Sequence, residues 1–372
     1  MRRFLMLDFY KGKRVFITGH TGFKGTWLTK ALVMAGAEVY GYSLKPGVNE
    51  DIFSKDYQEK EVSENLYDIS GVDSQIHSCI ADIRDFARLK EFFDEARPEI
   101  VFHLAAQPIV RDSYQSPRYT YETNVMGTVN ICECVRTSDT VRSFLNITTD
   151  KVYQNNEWEW GYREDEKLDG YDPYSNSKSC SELVTHSYIN SFFRDRKIAV
   201  STARAGNVIG GGDFAKDRIV PDCVRAARAG EKIVLRNPDS TRPFQHVLEA
   251  LSAYLLIAEL QYEDYSKAGF YNVGPNESDA VTAYRIASAF ADEWNAHLDG
   301  NRKELLINIQ SDGGPHEANY LKLDCSKIKS RLNWAPKWDI DMAVKKTVEW
   351  TDGYLNGHGT ESLEKQIKEY FE

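Results

Sequence analysis

No stretch of the 372-residue chain is apolar for long enough to cross a bilayer, so a transmembrane helix is not expected. Basic residues are outnumbered. The 46 Lys and Arg against 56 Asp and Glu leave a formal net charge of -10, which opposes a nucleic-acid surface, and no Lys/Arg-rich run or aromatic RNA-binding motif offsets it. Cysteine is sparse and scattered: Cys79, Cys132, Cys134, Cys180, Cys223 and Cys325. The one close pair, Cys132 and Cys134, lacks metal-ligand spacing, so we expect no metal and read free thiols in a reducing cytoplasm. The opening "MRRFLMLDFYKGK" is broken by Asp8 and Lys11 and has no small-residue cleavage site, so no signal peptide is expected and the expected location is cytoplasmic. Internal repeats and low-complexity segments are lacking too.

What is present is an alternation. Apolar, β-branched runs ("RVFIT", "AEVYGYS", "IHSCIAD", "EIVFHLAA", "RSFLNI", "KIAVSTARAG") alternate with helical patterns such as "WLTKALVMAG", "FARLKEFFDEA" and "SNSKSCSELVTHSYINSFF". Continuous apolar strands separated by helices predict an α/β fold of Rossmann type, a doubly wound parallel sheet covered on both faces. We place this first domain over residues 1–205. Beyond it Pro/Gly punctuation dominates, which predicts a smaller C-terminal substrate-binding lobe over 206–360, with the chain returning to the first domain near 244–275.

The run "RVFITGHTGFKGTWLTKAL" puts Gly19, Gly22 and Gly25 between a strand and a helix. Glycines there permit a tight turn, close approach of backbone N–H groups to a pyrophosphate, and close helix–strand packing. The second strand ends "YGYSLKPG", without the carboxylate that usually grips the adenosine ribose. Ser43 can bond the ribose hydroxyls and Lys45 can meet a 2′-phosphate, so NAD is preferred over NADP without being deduced. Asp82 suits the adenine amino group and Ile83 the adenine ring, although a solvated turn aspartate reads equally well.

In "YDPYSNSKSCSEL", Tyr174 and Lys178 stand four apart at a helix start and share a face. A nearby ammonium favours the phenolate, so the lysine is expected to lower the Tyr174 pKa. Together with "HLAAQ", "NVMGT" and "TTDKVY", this order resembles the extended short-chain dehydrogenase/reductase family over nearly the whole chain. An acid after Thr149 resembles the sugar-nucleotide 4,6-dehydratases of that family. The stretches "TGHTGFKGTWL", "TTDKVYQNNEWEWGYREDEKLDGYDPYSNSKS", "TRPFQHVLEAL" and "HEANYLKLDCSKIKSRLNWAPKW" are similar to its CDP-glucose branch.

The resemblance implies an enzyme that dehydrates CDP-glucose to CDP-4-keto-6-deoxyglucose for deoxysugars of surface polysaccharide such as lipopolysaccharide. It implies bound NAD held by Gly19, Thr21, Gly22, Phe23, Gly25, Ser43, Asp82, Ile83, Leu104, Ala105, Ala106, Thr123, Tyr174 and Lys178. Thr149, Asp150, Lys151, Tyr174 and Lys178 would be catalytic. In this reading Thr149 meets the hydroxyl being oxidised, Tyr174 is the base at C4, Asp150 the acid at C6, and Lys151 the base at C5. Asn124 would brace the helix carrying Tyr174. The nucleotide sugar would meet Gln107, Asn207, Arg218, Arg242, His316 and Glu317, with Trp158 and Trp160 as a lid, in a homodimer or dimer of dimers. Dehydration of another nucleotide sugar and 4-epimerisation are the rival chemistries. A non-catalytic dinucleotide sensor is the rival class, and it should have lost Tyr174 or Lys178.

Overall fold

Strand-forming residues alternate in direction along each run, and the structure, a computed structural model, uses that alternation to build two separate cores. It describes residues 7–48, 50–54, 64–216, 218–297, 303–310 and 321–372. Seven strands form one sheet: β1 (Arg14–Thr18), β2 (Glu38–Ser43), β3 (His77–Ile80), β4 (Ile100–His103), β5 (Ser143–Ile147), β6 (Ala199–Ala205) and β7 (Phe270–Val273). Their order is β7-β6-β5-β4-β1-β2-β3, with every neighbour pair parallel. The register sets Val15 opposite Ile100, Ile100 opposite Ser143 and Ser143 opposite Ala199. This is the doubly wound α/β fold that the alternation predicts.

On one face Val15, Ile17, Ile100, Phe102, Leu145 and Ile147 pack against α1 (Phe23–Met34), α6 (Val247–Glu263) and α9 (Gly359–Phe371). On the other, Phe16, Val101, Phe144 and Val200 meet α2 (Phe86–Ala96) and α3 (Gly127–Thr137). Helix α2 shows how the sequence specifies this. Asp85 caps it by accepting from the Arg88 N–H, and Leu89, Phe92, Phe93 and Ala96 form the buried stripe. Each large apolar side chain so buried contributes about 1.5–3 kcal/mol.

A further core lies outside the sheet, where Cys223 of α5 (Ile219–Ala229), Phe290 and Trp294 of α7 (Ala283–Asn295), and Val344 and Val348 of α8 (Ile340–Leu355) pack together. Three two-stranded pairings border it: Val208–Ile209 with Gln245–His246, Thr241–Pro243 with Ala280–Thr282, and Ile233–Leu235 with Ile307–Ile309. All six cysteines are free thiols, and among the described residues no helix is long and apolar enough to cross a membrane. The crossover reverses direction at β1, between β2 and β4. A crevice therefore opens beyond the carboxyl ends of β1 and β4, where ligands of such sheets bind.

Candidate active site

The glycine turn closes the end of β1. Gly19 has φ +79°, and a Cβ there would lie 2.7 Å from the Ala105 nitrogen. At Gly25 a Cβ would lie 2.0 Å from the Gly19 carbonyl oxygen, so only glycine lets α1 pack this close. Gly22 is different: its nearest such contact is 3.4 Å, and it caps α1 with no side-chain hydrogen bond. The first amides of α1, beginning at Phe23, thus lack a side-chain acceptor, which fits a dinucleotide pyrophosphate. Leu104 and Ala105 form the facing wall, their N–H groups donating to the Thr18 carbonyl (3.0 Å) and hydroxyl (3.2 Å), and Ala106 follows, half-buried.

On the adenosine side the structure is more committed than the sequence suggests. Ser43 bonds the Thr21 hydroxyl (2.8 Å), which also donates to the Leu44 carbonyl (2.9 Å). Asp82 is buried, and both its oxygens accept from the Arg84 guanidinium, at 3.1 and 2.8 Å. Arg84 is held between Phe53 and Tyr119, its carbon 4.7 Å from each ring centre. Asp82 is therefore an ion-paired group, not a solvated turn residue. Ile83 is buried against Gly127, where a Cβ would come within 2.9 Å, and Thr123 is buried nearby on the wide turn preceding α3.

The catalytic candidates converge at the carboxyl end of β5. Helix α4 (Pro173–Tyr188) starts there because Asp172 caps it, accepting from the Ser175 N–H, and Pro173 occupies its first turn. That start places Tyr174 and Lys178 on one face. Asn124 ties α4 to the wall: its amide donates to Ser177 Oγ (2.8 Å) and the Gln107 carbonyl (3.1 Å) and accepts from the Gln107 N–H (2.8 Å). Thr149 donates to Asp150 Oδ1 (3.0 Å). Lys151 Nζ is 3.4 Å from both Asp150 Oδ1 and Asn207 Oδ1. Asp150 is 1 % exposed, and its Oδ2 has no hydrogen-bond partner among the described residues. Gly206 lies against that oxygen, since a Cβ there would be 3.3 Å from it.

The protonation balance departs from the sequence expectation. Burial pushes the Tyr174 phenol up to about 12; nearby Asp150 adds to the rise, and the Thr149 hydroxyl and Arg218 oppose it. Lys178 is itself pushed down to about 7, by burial first and by the neighbouring Lys24 ammonium second. Its Nζ donates to the Ile147 carbonyl (3.2 Å). Burial outweighs the positive charge near the phenol, which therefore stands above its ordinary value and not below it. The expected lowering of Tyr174 is thus not a property of the protein by itself.

Arg218 joins the site through a 3.0 Å pair with Asp213, whose carboxylate holds the guanidinium firmly charged. Arg242 is buried and donates to the Thr241 carbonyl (2.9 Å); the following Pro243 packs on Gly206, beside Asp150. Gln107, expected at the substrate, is engaged here by the chain itself. Both ends of its side-chain amide are used at 3.0 Å by the Ile109 backbone, so it braces a turn. Trp158 and Trp160, expected as a sugar lid, line a cavity of about 490 Å³ with Pro275, Lys322 and Lys329, and Trp158 stacks on Tyr162 at 5.4 Å. His316 and Glu317 lie outside the described residues.

Two neighbours of the site escaped the sequence reading. Lys24 lies in the first turn of α1 and interacts electrostatically with Lys178, Asp150, Lys151 and Arg218. A cation at a helix start opposes the helix dipole, a signal that was available. Asp213 was hidden in "GGGDF", which reads as a plain loop.

The model of the GDP-mannose 4,6 dehydratase family matches residues 16–347. The chain belongs to this family. It is 44% identical over 356 residues to the CDP-glucose 4,6-dehydratase of Salmonella typhimurium, covering 94% of this chain and 93% of that one. It is 28% identical over 280 residues to a dTDP-glucose 4,6-dehydratase of Xanthomonas campestris, covering 72% and 77%. Among solved structures, the dTDP-glucose 4,6-dehydratase of Bacillus anthracis in complex with NAD shares the fold, with a TM-score of 0.71, 18% identity, and coverage of 94% of this chain and 99% of that one.

Proposed function

We propose that this family member dehydrates CDP-glucose to CDP-4-keto-6-deoxyglucose and retains NAD through the cycle. The observation that carries the reading is the turn of buried Thr149 and Asp150 and half-buried Lys151 beside Tyr174, in a chain 44% identical to a CDP-glucose 4,6-dehydratase. When bound, NAD supplies the acceptor for the C4 hydrogen and the donor that returns it at C6. The glycine turn and the α1 amides would hold its pyrophosphate, and Lys178 its nicotinamide ribose.

In this reading Thr149 orients the sugar C4 hydroxyl and Tyr174 takes its proton. The resulting ketone acidifies C5. Lys151 removes the C5 proton, and Asp150 protonates the C6 hydroxyl so that water leaves. Asp150 Oδ2, buried and without a hydrogen-bond partner among the described residues, would be the atom to donate to the leaving hydroxyl. Arg218 and Arg242 would neutralise the diphosphate, with Asn207 positioned by Lys151. An acid after Thr149, where epimerases of the family carry a non-acidic residue, disfavours epimerisation, and retention of Tyr174 and Lys178 disfavours a sensor.

We assign the enzyme to the cytoplasm, its product to deoxysugar formation for surface polysaccharide, and its assembly to a homodimer. Leu183 of α4 and Tyr114 and Phe192 nearby in sequence to the bracing helices are exposed large apolar groups that such a dimer would cover. The test is direct. Purified protein is incubated with CDP-, dTDP-, UDP- or GDP-glucose while the sugar mass and NADH are followed. Loss of one water from CDP-glucose alone, without NADH accumulation, is expected. Loss from another donor removes the CDP assignment, and no loss from any of the four removes the dehydration.

A further inference from the structure

Beneath the catalytic turn lies an ion pair that the chemistry above does not use. Glu182, one turn beyond Lys178 on α4, and Arg204 of β6 are both completely buried, 2.9 Å apart. Glu182 Oε1 accepts from the Thr148 hydroxyl (2.5 Å), and Oε2 accepts from the Thr202 hydroxyl (2.8 Å). Arg204 Nη1 donates to the Tyr153 hydroxyl (2.8 Å) and the Glu164 carbonyl (2.9 Å). Tyr153 in turn donates to Asn272 Oδ1 (2.6 Å). The pair therefore grips both ends of the run 148–153, and Thr149, Asp150 and Lys151 stand between its two attachments.

A buried ion pair is a weak source of stability, because apolar side chains of similar volume often serve as well. Its geometry here suits a different role. Glu182 is on the same helix as Tyr174 and Lys178, so whatever it fixes is fixed relative to them. We infer that Glu182 and Arg204 are positioning residues, which clamp Thr148 and Tyr153 and so set Thr149, Asp150 and Lys151 in register with Tyr174. The inference rests on the proposed dehydratase reading for its activity assay, but not for its structural one.

The attachments can be cut without breaking the pair. In the NAD-loaded full chain, Thr148→Val removes one, and Tyr153→Phe removes the other while leaving Arg204 its bond to Glu164. Misplacing reacting groups by roughly an ångström costs about a hundredfold in rate. The double variant should lose about that much in kcat for CDP-glucose with KM within about threefold, and Thr148→Ser should behave as wild type. Hydrogen exchange of the peptide 148–153 should rise in the double variant while exchange of α1 and α6 does not. The clamp is refuted if kcat of the double variant stays within about threefold of wild type. It is equally refuted if exchange of 148–153 is unchanged. Should the wild-type enzyme fail to dehydrate CDP-glucose, the substrate reading falls and the exchange measurement decides the clamp by itself.

Discussion

Replacing Gly22 and Gly25 separately by alanine should separate two roles that one glycine motif conceals. At Gly25 the new Cβ would lie 2.0 Å from the Gly19 carbonyl oxygen, about 1.4 Å inside ordinary contact. That neighbour is backbone, so the turn or α1 must move. Overpacking of this kind costs about 1–3 kcal/mol. With an unfolding entropy of ~2.1 cal/mol/K per residue over 372 residues, a 2 kcal/mol loss lowers Tm by about 2.5 °C. At Gly22 the corresponding distance is 3.4 Å, an ordinary contact, and stability should change by less than ~0.5 kcal/mol. Yet its methyl would stand at the uncapped start of α1, where the dinucleotide pyrophosphate is proposed to lie. Gly22→Ala should therefore weaken NAD binding by about tenfold or more while Tm of the cofactor-free protein is unchanged. Gly25→Ala should lower both. Thermal melts without cofactor and calorimetric titration with NAD measure the two effects. A Gly22→Ala protein that binds NAD within about threefold of wild type would refute the placement of the pyrophosphate.

Other expectations follow from the charges. Lys178 has its folded pKa depressed to about 7, below the unfolded value, so the unfolded chain binds more protons between about pH 7 and 10 and stability rises with pH across that window. Its penalty is fully present below pH 7. Lys178→Met should accordingly raise Tm of the cofactor-free protein more at pH 6 than at pH 10, and a difference that is flat with pH would contradict the burial argument. Asp150→Asn should slow water loss by about 10²–10⁴-fold while leaving oxidation at C4 possible, so that NADH absorbance builds up during the assay; water loss within about threefold of wild type would exclude the acid role. Asp213→Asn removes the charge that orients Arg218 at 3.0 Å and should raise KM for CDP-glucose about tenfold with a smaller effect on kcat. An unchanged KM would detach Arg218 from the substrate.

The sheet was legible in the sequence because its determinants are local. A strand buried on both faces is rich in apolar residues, as "VFIT", "IVFH" and "SFLNI" are, and the Asp-Pro pair before "YSNSK" supplies a helix cap and first-turn proline. The glycine turn was equally legible, since a positive φ at Gly19 and the close contact at Gly25 leave glycine as the residue without strain. The six cysteines showed neither metal spacing nor pairing, and each is a free thiol in the fold.

What the sequence did not contain was the outcome of competition between groups far apart in the chain. The spacing of Tyr174 and Lys178 suggests a lowered phenol pKa, but burial, with Asp150 beside it, raises the phenol instead, while burial and the distant Lys24 ammonium lower Lys178. Asp82 looked free for adenine until Arg84, sandwiched between Phe53 and Tyr119, took both its oxygens. Glu182 and Arg204 lie 22 residues apart on different elements, and no sequence motif joins them. Only the packing of α4 on β6 puts them together, where the absence of water makes each the other's necessary partner. Local propensity and steric exclusion are written in neighbouring residues, whereas desolvation and charge pairing depend on which distant residues the tertiary fold brings within a few ångströms.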